Sequence, residues 1–142
     1  MKIEKLISAA AAVLALSLAA GLPAHAHDTA DAGTVTQNFA APIPNIPGKS
    51  LIAVEVEFAP GQVGAPHRHA NSAFIYAYVV SGAIESKVDD EKVRIYRAGE
   101  SWSERPGALH SVSRNVSETE PAKLLAVFVV DSDDTELVKP IN

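Results

Sequence analysis

Residues 60–82 run PGQVGAPHRHANSAFIYAYVVSG and residues 99–110 run GESWSERPGALH; these two stretches decide the fold. In the first, a Pro60-Gly61 turn leads to His67 and His69, two residues apart, and then to a run rich in Ile, Tyr and Val that stops at Gly82. Successive side chains on a strand point to opposite faces, so His67 and His69 share a face while Arg68 points away. By the same rule Ile75, Ala77 and Val79 share one face of the apolar run, and Phe74, Tyr76 and Tyr78 the other. The small Ala77 leaves room if its face lines a pocket, and the aromatics are expected to serve core or interface packing. In the second stretch, Gly99, Pro106 and Gly107 punctuate the approach to His110, and Trp102 and Glu104 have the same strand parity.

Outward from these stretches the pattern stays that of strands. Val54, Val56 and Phe58 alternate with Glu55 and Glu57 and end at the Pro60-Gly61 turn. After Gly82 comes Ala83 to Val88, then a charged hairpin tip at Asp89-Asp90-Glu91, then Lys92 to Tyr96. Leu109 to Val116 and Lys123 to Val130 supply two more, and no helical period follows residue 26. About seven short strands separated by turn residues predict an all-β sandwich or barrel.

The amino-terminal end has a different character. Lys2 and Lys5 precede a 15-residue run, Leu6 to Ala20, that is almost wholly Ala, Leu, Val, Ile and Ser, and Ala24-His25-Ala26 has the small-x-small form of a signal-peptidase site. That run is short of the ~20 residues that span a bilayer. Residues 1–26 are therefore expected to be a signal peptide and the mature protein to be periplasmic or secreted, starting at His27 and free of the membrane. Residues 27–50, with Pro42, Pro44 and Pro47, form a leader in which Thr34 to Phe39 alternates weakly enough to add an edge strand; residues 51–142 form the barrel domain.

Composition narrows the chemistry. The chain has no cysteine, which excludes disulfides, thiol nucleophiles and thiolate metal sites. Its formal charge of -5 argues against nucleic acid as a partner. Metal binding must use imidazoles, carboxylates or carbonyls. His67, His69 and His110 are the candidates, because two imidazoles on one face and a third from a neighbouring strand can define one side of a coordination shell. His27 sits in the leader and is not expected to take part.

The glycine and proline frame around these histidines resembles the two motifs of the cupin superfamily. Pro60-Gly61, His67-Arg68-His69 and Gly82 are similar to the first; Gly99, Pro106-Gly107 and His110 are similar to the second. The resemblance covers about Ser50 to Asp131 and implies a double-sheet jelly-roll barrel with one divalent transition metal ion, Fe, Zn, Mn, Ni or Cu alike, held inside on His67, His69 and His110. It also implies a small-molecule ligand or substrate and, with the Thr34 to Phe39 edge, a homodimer. Three departures stand out. The glutamate that normally follows the second histidine is absent from Ala70-Asn71-Ser72-Ala73-Phe74-Ile75, in a segment longer than usual; Arg105 occupies a proline slot; and the asparagine expected after the last histidine would fall at Arg114, next to Asn115.

Glu104 is the acidic candidate to replace the absent ligand or to act as a general base, and Gln62 is a candidate for a supporting hydrogen bond. Two functions remain open on these residues. One is a metal-dependent enzyme, dioxygenase- or isomerase-like, acting on a small molecule; the other is a non-catalytic module that binds a metal or metabolite.

Overall fold

The computed structural model describes residues 33–141; the expected signal peptide and His27 lie outside the described residues. Ten strands follow one another: β1 (Thr34–Pro42), β2 (Lys49–Phe58), β3 (His67–His69), β4 (Phe74–Ser81), β5 (Ala83–Val88), β6 (Arg94–Arg97), β7 (Ser101–Glu104), β8 (Leu109–Asn115), β9 (Ala122–Asp131) and β10 (Val138–Pro140). They form two five-stranded antiparallel sheets, ordered β1-β2-β9-β4-β7 and β10-β3-β8-β5-β6. Among the described residues there is no helix. The sheets close face to face as a jelly-roll barrel, the architecture expected from the strand pattern and the family resemblance.

The interior follows from period-2 alternation. On β9 the buried positions are Ala122, Leu124, Ala126, Phe128 and Val130, so a run that is apolar at almost every residue still shows one face to the core. Ile75, Ala77 and Val79 point inward from β4, and Phe58, Trp102 and Tyr96 fill the barrel around Ile84 and Val88. Tyr96 stacks on Trp102 with ring centroids 4.5 Å apart. A second cluster, built on Phe128, Ile75 and Val130, packs nearer β1 and the chain's last strand. The histidines lie where these clusters meet.

Several expectations change in detail. Phe74 is 48% and Tyr76 44% exposed, which rules out a core role for them and leaves interface packing. Gln62 uses its side-chain oxygen to accept the Ala59 N–H at 2.8 Å, so it stabilises its own turn and supports no histidine. The weak alternation at Thr34 to Phe39 is a full edge strand that pairs with β2 as far as Pro42. Strand β10 pairs Val138 with His69 and Pro140 with His67. Its three residues, after an acidic loop, are too few to show a period.

Candidate metal centre

The same turn delivers both histidine segments. Ala59-Pro60-Gly61-Gln62 closes with Gln62 N–H on the Ala59 carbonyl at 3.1 Å, and Arg105-Pro106-Gly107-Ala108 with Ala108 N–H on the Arg105 carbonyl at 3.0 Å. Proline presets φ at the second position, and the third needs positive φ, met by Gly61 at 67° and Gly107 at 72°. Beyond the second turn, His69 N–H donates to the Ala108 carbonyl at 3.0 Å. This ties β3 to the start of β8 and makes His67 and His110 direct cross-strand partners. Partners opposite each other on adjacent strands project to the same side, so three imidazoles from one sheet converge.

Ring centroids lie 4.8 Å apart for His67 and His69, 5.2 Å for His67 and His110, and 6.0 Å for His69 and His110. One potential ligand atom from each falls within 4.8 Å of the others. Three donors on one ion at ~2.1 Å lie about 3.0–3.6 Å apart, so the widest pair closes by about an ångström when an ion is bound. Outer hydrogen bonds fix which nitrogen is free. His67 Nδ1–H donates to the Ala65 carbonyl at 2.9 Å, leaving Nε2. His110 Nε2 is 2.9 Å from Ser86 Oγ, leaving Nδ1 on the inner side. Such outer partners orient metal-ligating imidazoles. The sequence reading missed Ser86, although a hydroxyl between the inward Ile84 and Val88 was the available signal.

Glu104 faces these rings from the opposite sheet. It is buried on β7, and Trp102 Nε1–H donates to its Oε1 at 3.0 Å. Its cross-strand partner on β4 is Ile75, which also points inward. Ile75 is the last residue of the segment that lacks the usual glutamate, and Glu104 stands beside it on the neighbouring strand of the same sheet. Glu104 Oε2 lies 2.9 Å from His69 Nε2, and Oε1 lies 3.5 Å from His110 Nδ1.

The first contact is at ion-pair distance but poorly aligned, and His69 Nδ1, His69 Nε2 and Glu104 Oε2 are all buried without a well-aligned hydrogen bond. Buried polar atoms are nearly always bonded, so a nitrogen and an oxygen side by side without an aligned bond are placed to share a third atom. Ligands at right angles on one ion at ~2.1 Å sit about 3 Å from each other, the separation these two show. The donor set fits a divalent ion held by three imidazoles and one carboxylate.

The electrostatics agree with that fit. Burial lowers the His110 imidazole to about 4, only partly offset by the Glu104 charge. Burial also lowers His67, so the two rings are neutral and able to ligate at pH 7. Burial opposes ionisation of Glu104 and is its largest single influence, yet His69, His110 and the Trp102 N–H together outweigh it. The carboxyl is held well below the usual carboxylate range.

A cavity of about 120 Å³ opens beside these groups, between the sheets. Val54, Val56, Phe58, Leu124, Ala126 and Phe128 supply much of its apolar wall, and the inward Ala77 also lines it. Its ionisable lining is His67, His69, His110 and Glu104, with no lysine or arginine. Arg68, on the opposite face of β3, donates to the Gly107 carbonyl at 3.3 Å. Arg114 pairs with Glu85 at 2.6 Å.

The asparagine displacement also resolves. Between β5 and β8 the register steps from Lys87 opposite Val112 to Val88 opposite His110, so Ser111 is an extra residue in a β-bulge. This insertion moves the inward position from Arg114 to Asn115. The Asn115 amide donates to the carbonyls of Glu120 at 2.7 Å and Ala59 at 3.1 Å, and its Oδ1 accepts the Ser117 N–H at 2.9 Å.

Comparison with known proteins follows the same lines. The model of the cupin domain matches residues 54–128, more than half of the chain. No curated protein sequence matches. Among solved structures, an uncharacterised double-stranded β-helix protein from Klebsiella pneumoniae is 22% identical, with a TM-score of 0.55 over 68% of this chain and 76% of that one. An oxalate oxidase in complex with the substrate analogue glycolate is 24% identical, with a TM-score of 0.54 over 72% of this chain and 53% of that one. The oxalate decarboxylase of Bacillus subtilis is 21% identical with a TM-score of 0.59, covering 78% of this chain and 28% of that one. The chain thus spans about half of the oxidase and under a third of the decarboxylase, and at these identities the likeness is one of fold. With the family match running from β2 into β9 and both histidine motifs on the strands of a two-sheet barrel, the chain belongs to the cupin superfamily.

Proposed function

We propose that the protein is an exported cupin that binds one divalent transition metal ion through His67, His69, His110 and Glu104, and acts as a metal-dependent enzyme, dioxygenase- or isomerase-like, on a small molecule. The observation that carries this is the unpartnered pair, His69 Nε2 and Glu104 Oε2, at an inter-ligand spacing inside the histidine cluster. A bound ion would supply Lewis-acid polarisation of a substrate oxygen. The protein's own residues do the rest. Ala65 and Ser86 set the two outer rings, Trp102 holds the carboxylate, and the apolar walls line the space beside the ligands. Glu104 is the only acid in the cavity lining, and its lowered carboxyl and the Trp102 hydrogen bond favour the role of ligand over that of general base.

Elemental analysis of protein purified from its native compartment tests the metal. One transition metal ion per chain is expected, in a mature chain beginning at His27. Protons compete with the ion for each imidazole, and lowered values at His67 and His110 move that competition to lower pH. Occupancy is therefore expected to fall with pH, and to be lost towards pH 4. A metal-free chain at pH 7 would overturn the reading.

The assembly proposed with it is a homodimer. Rows of apolar side chains cross the outer face of the β1 sheet, with Phe39 opposite Ala53, Leu51 and Phe74 flanking Val129, and Tyr76 opposite Val127. A solvent-facing sheet surface is normally polar, and an apolar patch of this kind marks a contact. Sedimentation is expected to give the mass of two chains at micromolar concentration, and Tyr76→Asp the mass of one. A wild-type mass of one chain would count against it.

A further inference from the structure

The cavity wall says more about the substrate than the metal ligands do. Three neutral imidazoles and one carboxylate leave a bound divalent ion with a net charge near +1, which a single negative charge balances. Beyond the ligands, the lining offers Ser113 as a polar side chain and no cation, while Val54, Val56, Phe58, Leu124, Ala126 and Phe128 surround the space. A second carboxylate buried there would have no partner, and burying an unpaired charge is costly. The cavity volume of about 120 Å³ is close to the roughly 150 Å³ that encloses one benzene molecule, so the part of a ligand buried in it is small.

We infer that the site, on the metal reading above, takes a small monoanionic chelator with an apolar body, and discriminates against dianions. The head group binds at the ion, and the remainder lies against the aliphatic and phenyl wall. This separates the chain from the neighbours named for oxalate, a dianion with no apolar part, to which it is similar in fold.

Three 2-hydroxy acids with a common chelating head test the inference on the intact protein: glycolate, 2-hydroxyisobutyrate and tartronate. The protein is loaded with cobalt(II), its cobalt content measured, and each acid titrated while the visible absorption of the cobalt is followed. 2-Hydroxyisobutyrate is expected to bind about tenfold more tightly than glycolate, the gain that burying two methyl groups gives. Tartronate, with a second carboxylate in place of the methyls, is expected to bind more weakly than glycolate. A gain from the methyl groups below about threefold overturns the inference, as does tartronate binding at or above the level of glycolate. A protein that takes up no cobalt fails at the first step, and the metal reading falls before any acid is added.

Discussion

Replacing Glu104 with alanine is expected to weaken metal binding by about 100-fold or more, since loss of even an outer partner of a ligand costs ~10–100-fold. The stronger expectation concerns its recovery. Ile75 sits directly opposite Glu104 across the β4–β7 pair, with both side chains buried. Ile75→Glu in the Glu104→Ala background places a carboxylate at the position next to the vacated one and is expected to restore most of the affinity. Competition with a chromogenic chelator, on variants shown by circular dichroism to keep the strand spectrum, measures both. If Glu104→Ala binds metal as tightly as wild type, the carboxylate is not a ligand; if affinity falls and Ile75→Glu recovers none of it, the position beside Glu104 does not substitute for it.

Asn115→Ala is expected to cost about 2–4 kcal/mol of folding stability, read from denaturant unfolding of the metal-free protein. The Asn115 side chain is fully buried and bonds the backbone at Ala59, Ser117 and Glu120, so its loss leaves the Glu120 carbonyl and the Ser117 N–H without this partner, while the Ala59 carbonyl keeps the Gln62 N–H. Those bonds tie the turn before the histidine strand to the segment after β8. Arg114→Ala, one residue away but on an ion pair at the surface, should cost far less. Equal effects at the two positions would contradict the bulge at Ser111.

The fold was legible because alternation and punctuation agreed. Val54, Val56 and Phe58 did turn inward, Gly82 did separate two strands, and the Asp89-Asp90 hairpin tip fell where charge and turn propensity put it. Parity alone placed His67 with His69 and Trp102 with Glu104, since each pair is two residues apart on one strand. Parity does not say which sheet a strand joins. For that reason the carboxylate's approach from across the barrel, and the hydroxyl of Ser86 behind His110, depended on tertiary pairing. The bulge at Ser111 could be felt as a one-residue discrepancy but not located, because a single inserted residue leaves composition and periodicity almost unchanged. Strand β10 escaped notice for a related reason: three residues carry no period, and its role is to cover the open edge of β3.

Anomalous diffraction from crystals of the metal-loaded protein tests the central claim most directly. One strong peak per chain is expected between the two sheets, within ~2.0–2.2 Å of a nitrogen from each of His67, His69 and His110 and of a Glu104 oxygen. A peak elsewhere on the chain, or none at this site in crystals grown with excess metal, would contradict it.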